Sequence, residues 1–386
     1  MNILYTSCVC SEKKFKKLFE NNKNMPGQQV QKYHRLLTQG FIQNNCNIFA
    51  LTLLPISRKI SKKIFYSSDR EKDGRLNYYY LPIVNIPILK NVVSIIQSFI
   101  VALKFMRSNE NVIVIGDALN ISINAGVLLA AKLTATPSVG IVTDLPRFLL
   151  GKSYIKKINN FVISQYDKYV FLTEQMNKAI NYKNKPYVIV EGQVDYKMQY
   201  TLIDEKQKYK KRICLYSGAL EEKYGIAKLV NCFIKADLKN VELHLYGTGK
   251  YKEQLLKITK SHKNIKYFGV VLNSEVVKEQ MKATLLINPR PSNEEFTKYS
   301  FPSKNMEYMA SGTPVLTTYL PGMPEEYKKY VYIFDDETEN GMTETLKIIL
   351  SKSQEELEEK GKSAKEFVLK RKNNIIQTRK IIDMFI

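Results

Sequence analysis

The stretch from Tyr299 to Leu316, YSFPSKNMEYMASGTPVL, gathers a hydroxyl, an ammonium and a carboxylate at the start of one short helix. Phe301 and Pro302 end an extended approach, because the residue before a proline is pushed out of the helical region. Ser303 suits the N-cap, its hydroxyl accepting from a free backbone N–H of the first turn. Lys304 to Ala310 then reads as helix, Gly312 as its left-handed terminator, and Val315-Leu316 as the next strand. Free N–H groups, the helix dipole and the Lys304 ammonium together favour an anion at this mouth, phosphate above all. Glu307, one turn on, can point back toward the same opening and accept from hydroxyls. A ligand with phosphates and hydroxyls fits this order of groups. A capped surface helix between two core strands fits it as well.

Other loops in the second half carry groups of the same kind. Ser217 to Gly225, SGALEEKYG, holds Gly218 as a source of backbone donors and Lys223 as a cation. Gly247-Thr248-Gly249 turns a strand into a helix, and Asn288 to Glu295, NPRPSNEE, ends in Glu294 and Glu295. In the first half, Pro26-Gly27 opens a helix, and Gly27 lets backbone amides come close to a ligand. Asp144, in VTDLP, stands at the carboxyl end of a strand, where open α/β sheets bind their ligands. Capping the turn that follows is the other reading of Asp144.

The elements that would position these loops alternate strand and helix along the whole chain. Short β-branched runs such as Val112 to Ile115, Ser138 to Val142 and Val241 to Tyr246 read as buried strands. Helical patterns separate them, so the fold class is α/β with parallel sheets covered by helices. A chain of 386 residues exceeds one ordinary core. The expected division is a first doubly wound domain over 1–195, a polar linker over 196–211, a second over 212–370, and a last helix within 371–386 that packs back on the first. A cleft between the carboxyl ends of the two sheets is the default binding site.

Composition narrows the partners. The formal net charge is +22, with 44% apolar residues. That excludes a disordered chain and calls for an anionic partner, such as a phosphorylated substrate or an anionic membrane surface. No RNA-binding signature or basic recognition helix stands out, so nucleic acid is not expected. Two basic stretches with apolar residues interleaved, Ser11 to Asn24 and Arg58 to Phe65, suit a membrane surface, and a solvated loop or helix is the equal reading of the first. The run Val92 to Met106 is too short and too polar to span a bilayer. Cys8, Cys10, Cys46, Cys214 and Cys232 form no paired framework, which points to a reducing cytoplasm. His34, His244 and His262 are far apart, so no metal is expected.

Taken together, SGALEEKYGI, LHLYGTGKYKEQL, IKYFG, LLINP and SFPSKNMEYMASGTPVL resemble, in order and spacing, the retaining family 4 glycosyltransferases (glycosyl transferases group 1). The resemblance covers roughly Arg212 to Glu326 and is thinner in the first half. It implies the GT-B fold, two Rossmann-like domains facing each other, and transfer of a sugar from a nucleotide-sugar to a hydroxyl with retention. Glu307 matches the second glutamate of the family's E-x7-E motif, which contacts the donor ribose. Tyr299 stands where the first is expected, and Glu295 is a candidate to reach the sugar instead. The family's phosphate-binding arginine and lysine align near Ala219 and Tyr224, leaving the diphosphate to Lys304 with Gly218, Lys223, Gly247 and the Phe301-Pro302-Ser303 loop. Gly27 and Asp144 fall on the acceptor side, and the acceptor would be a saccharide or a lipid-linked saccharide. No cofactor is implied, the nucleotide-sugar being a substrate. The Lys-, Asn- and Ile-rich composition fits AT-rich bacterial coding DNA, and with it a role in capsule or other cell-surface polysaccharide synthesis. Two other functions remain compatible with these residues: a sugar-nucleotide epimerase on the same fold, and a non-catalytic partner.

Overall fold

The computed structural model describes residues 1–19, 28–145, 153–200 and 209–386. They form two compact units, Met1–Glu191 with Asn374–Ile386, and Gly192–Asn373. Gly27 lies outside the described residues, as do parts of the basic stretch Ser11 to Asn24 and of the polar segment 196–211.

The strands of the first unit are β1 (Asn2–Ser7), β2 (Asn47–Thr52), β3 (Phe65–Tyr66), β4 (Asp69–Asp73), β5 (Leu76–Tyr80), β6 (Ile83–Val84), β7 (Val112–Asp117), β8 (Ser138–Val142), β9 (Lys168–Phe171) and β10 (Tyr187–Ile189). The helices are α1 (Glu12–Phe19), α2 (Gln28–Gln43), α3 (Leu89–Ser108), α4 (Ile121–Leu133), α5 (Ser153–Ile163) and α6 (Glu174–Ile180). The large sheet runs β10-β9-β8-β7-β1-β2-β5-β4. Its centre is buried on both faces, as runs like Val112–Asp117 require.

One edge departs from the uninterrupted parallel order read from the sequence. β4 pairs antiparallel with β5 around Gly74, at φ +57°, and β3 pairs antiparallel with β6. The β4 sequence DREKD is almost wholly exposed and has no apolar residue, so no strand pattern announces it.

The second unit contains β11 (Arg212–Ser217), α7 (Ile226–Ala236), β12 (Val241–Tyr246), α8 (Lys252–Ser261), β13 (Ile265–Gly269), α9 (Asn273–Lys282), β14 (Leu285–Asn288), α10 (Ser303–Ser311), β15 (Val315–Thr318), β16 (Tyr332–Phe334), α11 (Glu339–Ser351) and α12 (Gln354–Arg371). Its sheet is parallel throughout, in the order β13-β12-β11-β14-β15-β16. Sequential strands therefore wind one way from β11 to β13 and the other way from β14 to β16. The reversal opens a crevice between the carboxyl ends of β11 and β14.

The last helix, α13 (Asn374–Asp383), belongs to the first unit and lies along α2. The contact is tight: a Cβ on Gly40 would sit 2.2 Å from the Asn374 carbonyl oxygen. The Asn374 carboxamide donates to the Leu36 carbonyl at 3.0 Å, and that of Asn44 to the Ile375 carbonyl at 2.8 Å. Ile381 and Ile382 join the first unit's core.

Candidate functional site

The loops after β11, β12 and β14 interlock through glycines. Gly247 has φ +123°, and a Cβ there would lie 1.8 Å from the Gly218 carbonyl oxygen. Leu220 N–H donates to the Thr248 carbonyl and Tyr251 N–H to the Leu220 carbonyl, at 2.9 and 3.0 Å. Gly225, at φ +78°, starts α7 and abuts the Pro289 carbonyl after β14, where a Cβ would come within 2.0 Å. Only residues without a side chain allow backbones so close. Gly247 thus has a packing reason to be glycine, and its N–H is already given to the Gly269 carbonyl at 2.7 Å.

Lys304 lies in the middle of this frame. Its ammonium donates to the Tyr216 hydroxyl at 2.7 Å and sits 4.0 Å from the centre of that ring. The Tyr216 hydroxyl passes its own proton to the Ala219 carbonyl at 2.8 Å. Gly218, at φ +150°, makes room for the ammonium, since a Cβ there would be 2.0 Å from Nζ. Gly218 was expected to supply a backbone donor. Its N–H instead goes to the Tyr246 carbonyl at 2.9 Å, so the residue contributes space.

Arg290, two residues after β14, supplies a second cation. Its guanidinium lies 4.9 Å from the Tyr224 ring centre and 5.4 Å from that of Phe296, and it donates to Ser300 Oγ at 3.5 Å. Burial first, and then the Arg290 charge, hold the Lys304 amine far below the usual lysine range, at about 7, with Glu307 pulling the other way. Sequence reading passed over Arg290. Its signal was weak, one arginine in a polar loop, and Tyr224, the aromatic that orients it, is remote in sequence.

Glu307 is half-buried on α10 and clamped from α9. Gln280 donates to one of its oxygens at 2.9 Å and Asn273 to the other at 3.3 Å. The same Gln280 amide donates to Ser217 Oγ at 3.1 Å, which ties Glu307 to the end of β11. Tyr308 completes the support: its buried hydroxyl accepts from Ser217 N–H at 2.8 Å.

Other expected site residues take different places. Ser303 is the first residue of α10 and is exposed; Pro302 holds the cap position, with no side-chain hydrogen bond. The shift by one residue follows from Pro302, which already fixes the extended φ that a cap needs. Phe301 is a core residue, 5% exposed, its ring tilted against that of Tyr327 with centres 5.0 Å apart, so it anchors the loop from beneath. Lys223 is exposed, with its ammonium 5.2 Å from the Tyr224 ring centre. Glu295 is exposed on the short turn Glu295–Tyr299. In the first unit, Asp144 is exposed just after β8. The structure thus joins Lys304, Gly218, Gly247 and, through Gln280 and Ser217, Glu307 around the β11–β14 crevice.

Two cations and a clamped carboxylate at the strand reversal of a doubly wound sheet are suited to a nucleoside diphosphate. Residues 199–367 match the family described as "Glycosyl transferases group 1". By this match the second unit is similar to the group 1 glycosyltransferases. No curated protein matches this chain in sequence. Its whole fold is nonetheless shared with solved structures. Sucrose-phosphate synthase from Thermosynechococcus elongatus aligns with TM-score 0.70 at 14% identity, over 100% of this chain and 98% of that one. The trehalose-6-phosphate protein from E. coli bound with UDP-2-fluoro glucose aligns with TM-score 0.67 at 8% identity, over 100% and 98%. An α,α-trehalose-phosphate synthase (UDP-forming) from Burkholderia xenovorans, in complex with glucose-6-phosphate, aligns with TM-score 0.69 at 9% identity, over 99% of both chains. The chain therefore has the GT-B fold.

Proposed function

We propose that this chain is a glycosyltransferase that moves a sugar from a nucleoside-diphosphate sugar to a hydroxyl acceptor with retention, in the assembly of a bacterial capsule or related cell-surface polysaccharide. The observation that carries the reading is the Lys304 ammonium, packed on Gly218 and Tyr216 beside the Arg290 guanidinium at the β11–β14 reversal. Two fixed cations at the mouth of α10 offset the charge that grows on the diphosphate as its bond to the anomeric carbon breaks. The acceptor hydroxyl forms the new bond to that carbon, and its proton leaves with the diphosphate. Glu307, oriented by Gln280 and Asn273, accepts from the ribose hydroxyls.

The acceptor, a saccharide or lipid-linked saccharide, is assigned to the first unit, where Asp144 positions it. Glu295 is assigned to the transferred sugar. Lys304 and Arg290 take over the charge compensation that a divalent ion gives elsewhere, so the reaction as proposed needs no metal. Five free cysteines fit a cytoplasmic enzyme. Fold relatives bound with UDP-2-fluoro glucose or described as UDP-forming make UDP-sugars the first donors to try. The test is a thermal-shift screen against UDP-, GDP-, ADP- and dTDP-sugars, followed by NMR of the product's anomeric proton. Stabilisation by one donor series and a retained configuration are expected. An inverted product, or no stabilisation by any donor, overturns the reading.

A further inference from the structure

Helix α3 is built inside out. It extends beyond the run Val92 to Met106 read from the sequence as too short and too polar to span a bilayer, and its full 20 residues are apolar enough, by length and composition, to cross one. The side chains it buries are nevertheless mostly small: Ser94, Ser98 and Ala102, with Met106, one turn apart along a single face. They let α3 press on α4, where a Cβ on Gly126 would sit 2.2 Å from the Ile95 carbonyl oxygen and 2.3 Å from Ser98 Oγ. Phe99, Val101, Leu103 and Phe105 pack partly against the core, but five other large aliphatic side chains, Leu89, Val92, Ile95, Ile96 and Ile100, face solvent. Val92, Ile96 and Ile100 make a second row at the same spacing, with Ile96 51% and Ile100 53% exposed. A helix on a water-facing surface has the opposite arrangement.

The apolar row continues beyond the helix. Ile88, at its start, is 78% exposed. The β3–β6 ribbon packs beside α3, and its two strands are held to each other by the Asn85 N–H, which donates to the Ile64 carbonyl at 2.7 Å. That ribbon exposes Ile64 and Phe65. An apolar surface spread over a helix and its neighbouring ribbon marks an interaction site, whereas single exposed leucines do not.

Charge identifies the occupant. No aspartate or glutamate occurs from Leu54 to Ser68 or from Gly74 to Asn109. The same segments expose Arg58, Lys59, Lys62, Lys63, Lys104 and Arg107. An aliphatic ridge on segments whose only charged residues are cations is complementary to an anionic lipid surface, with acyl chains under the ridge and phosphates beside the lysines. A second copy of the chain would bring the same cations into contact.

We propose that α3 and the β3–β6 ribbon form the face by which the first unit rests on an anionic bilayer. Helix α3 lies along the headgroup boundary and does not cross it, because α4 occupies its Ser94–Ala102 face.

The full-length protein is sedimented with vesicles of phosphatidylcholine alone and of phosphatidylcholine with phosphatidylglycerol. Binding to the anionic vesicles only, weakened by salt, is expected. A variant with Ile96→Glu and Ile100→Glu should lose about tenfold or more of its vesicle affinity with its thermal transition unchanged. Should that variant not fold, a second one with Arg58, Lys59, Lys62 and Lys63 each replaced by glutamine decides through the same loss. The proposal is overturned if the wild type stays in solution with anionic vesicles. It is also overturned if the folded glutamate variant binds them as well as wild type does, or if the wild type is a dimer that this variant dissociates.

Discussion

The Lys304 ammonium donates to the Tyr216 hydroxyl at 2.7 Å while lying 4.0 Å from the centre of the same ring. In this position it is cut off from much of the water that would keep it charged, and Arg290 adds like-charge repulsion. The amine is held at about 7, against about 10.4 for an unperturbed lysine. A diphosphate favours the charged form. Below pH 7 the amine already carries its proton, and above it binding must draw one from solution. Affinity for a nucleoside diphosphate should therefore fall as pH rises from 7 toward 9, by up to about tenfold per unit. Calorimetry in buffers of different ionisation enthalpy would show the proton uptake. Constant affinity across this window would remove Lys304 from the site.

The same amine weighs against stability when the site is empty. Between pH 7 and about 10.4 the unfolded chain binds a proton that the folded chain does not, so stability should rise with pH over that range. Lys304→Met keeps the length and removes the cost. It should stabilise the ligand-free protein at pH 7 by about 1–3 kcal/mol in urea unfolding, while weakening donor binding at least about tenfold. A variant that loses binding and stability together would mean that Lys304 is structural.

Arg290 makes a separable prediction. Arg290→Ala removes a cation stacked on Tyr224 and Phe296, so diphosphate affinity should drop by about 2 kcal/mol. It also removes a charge that depresses Lys304. The pH midpoint for donor binding should therefore move upward, which a loop merely loosened by the substitution would not produce. Arg290→Lys should recover little, because an ammonium lacks the planar stacking surface.

Gly247 and Gly269 separate steric from conformational cost. Both have positive φ, but a Cβ at Gly247 would meet the Gly218 carbonyl oxygen at 1.8 Å, whereas at Gly269 nothing lies within 4 Å. Gly269→Ala should cost about 1 kcal/mol of backbone strain. Gly247→Ala must also part the two loops, and should cost about 2–4 kcal/mol by thermal or urea unfolding. Equal losses would mean that the loops are not interlocked.

The sequence carried the parallel strands and the α10 stretch because buried β-branched runs and a proline-to-glycine bracketed helix are local signals. Its silences have physical causes. The β4 strand DREKD is held by the β5 ladder and has no inward side chain to mark it. Helix α5, SYIKKINNFVI, leaves Ile155, Ile158 and Phe161 exposed, so its apolar period does not mark a buried face. Arg290 and Tyr216 are ordinary residues in a loop and a strand until the strand reversal sets β11 beside β14. Gly218 was legible as a residue but not in its role, since only the fold shows that Tyr246 takes its N–H.

The placement of α13 has a consequence for the order of synthesis. The first unit is discontinuous: its residues 1–191 emerge before the second unit, and Asn374–Ile386 emerge after it. Until then, α2 lacks the partner that Gly40, Asn44 and Leu36 are shaped to receive. All of Gly192–Asn373 is made in the interval and has its own core to form. The first unit can thus complete its core only after the whole of the second has been synthesised.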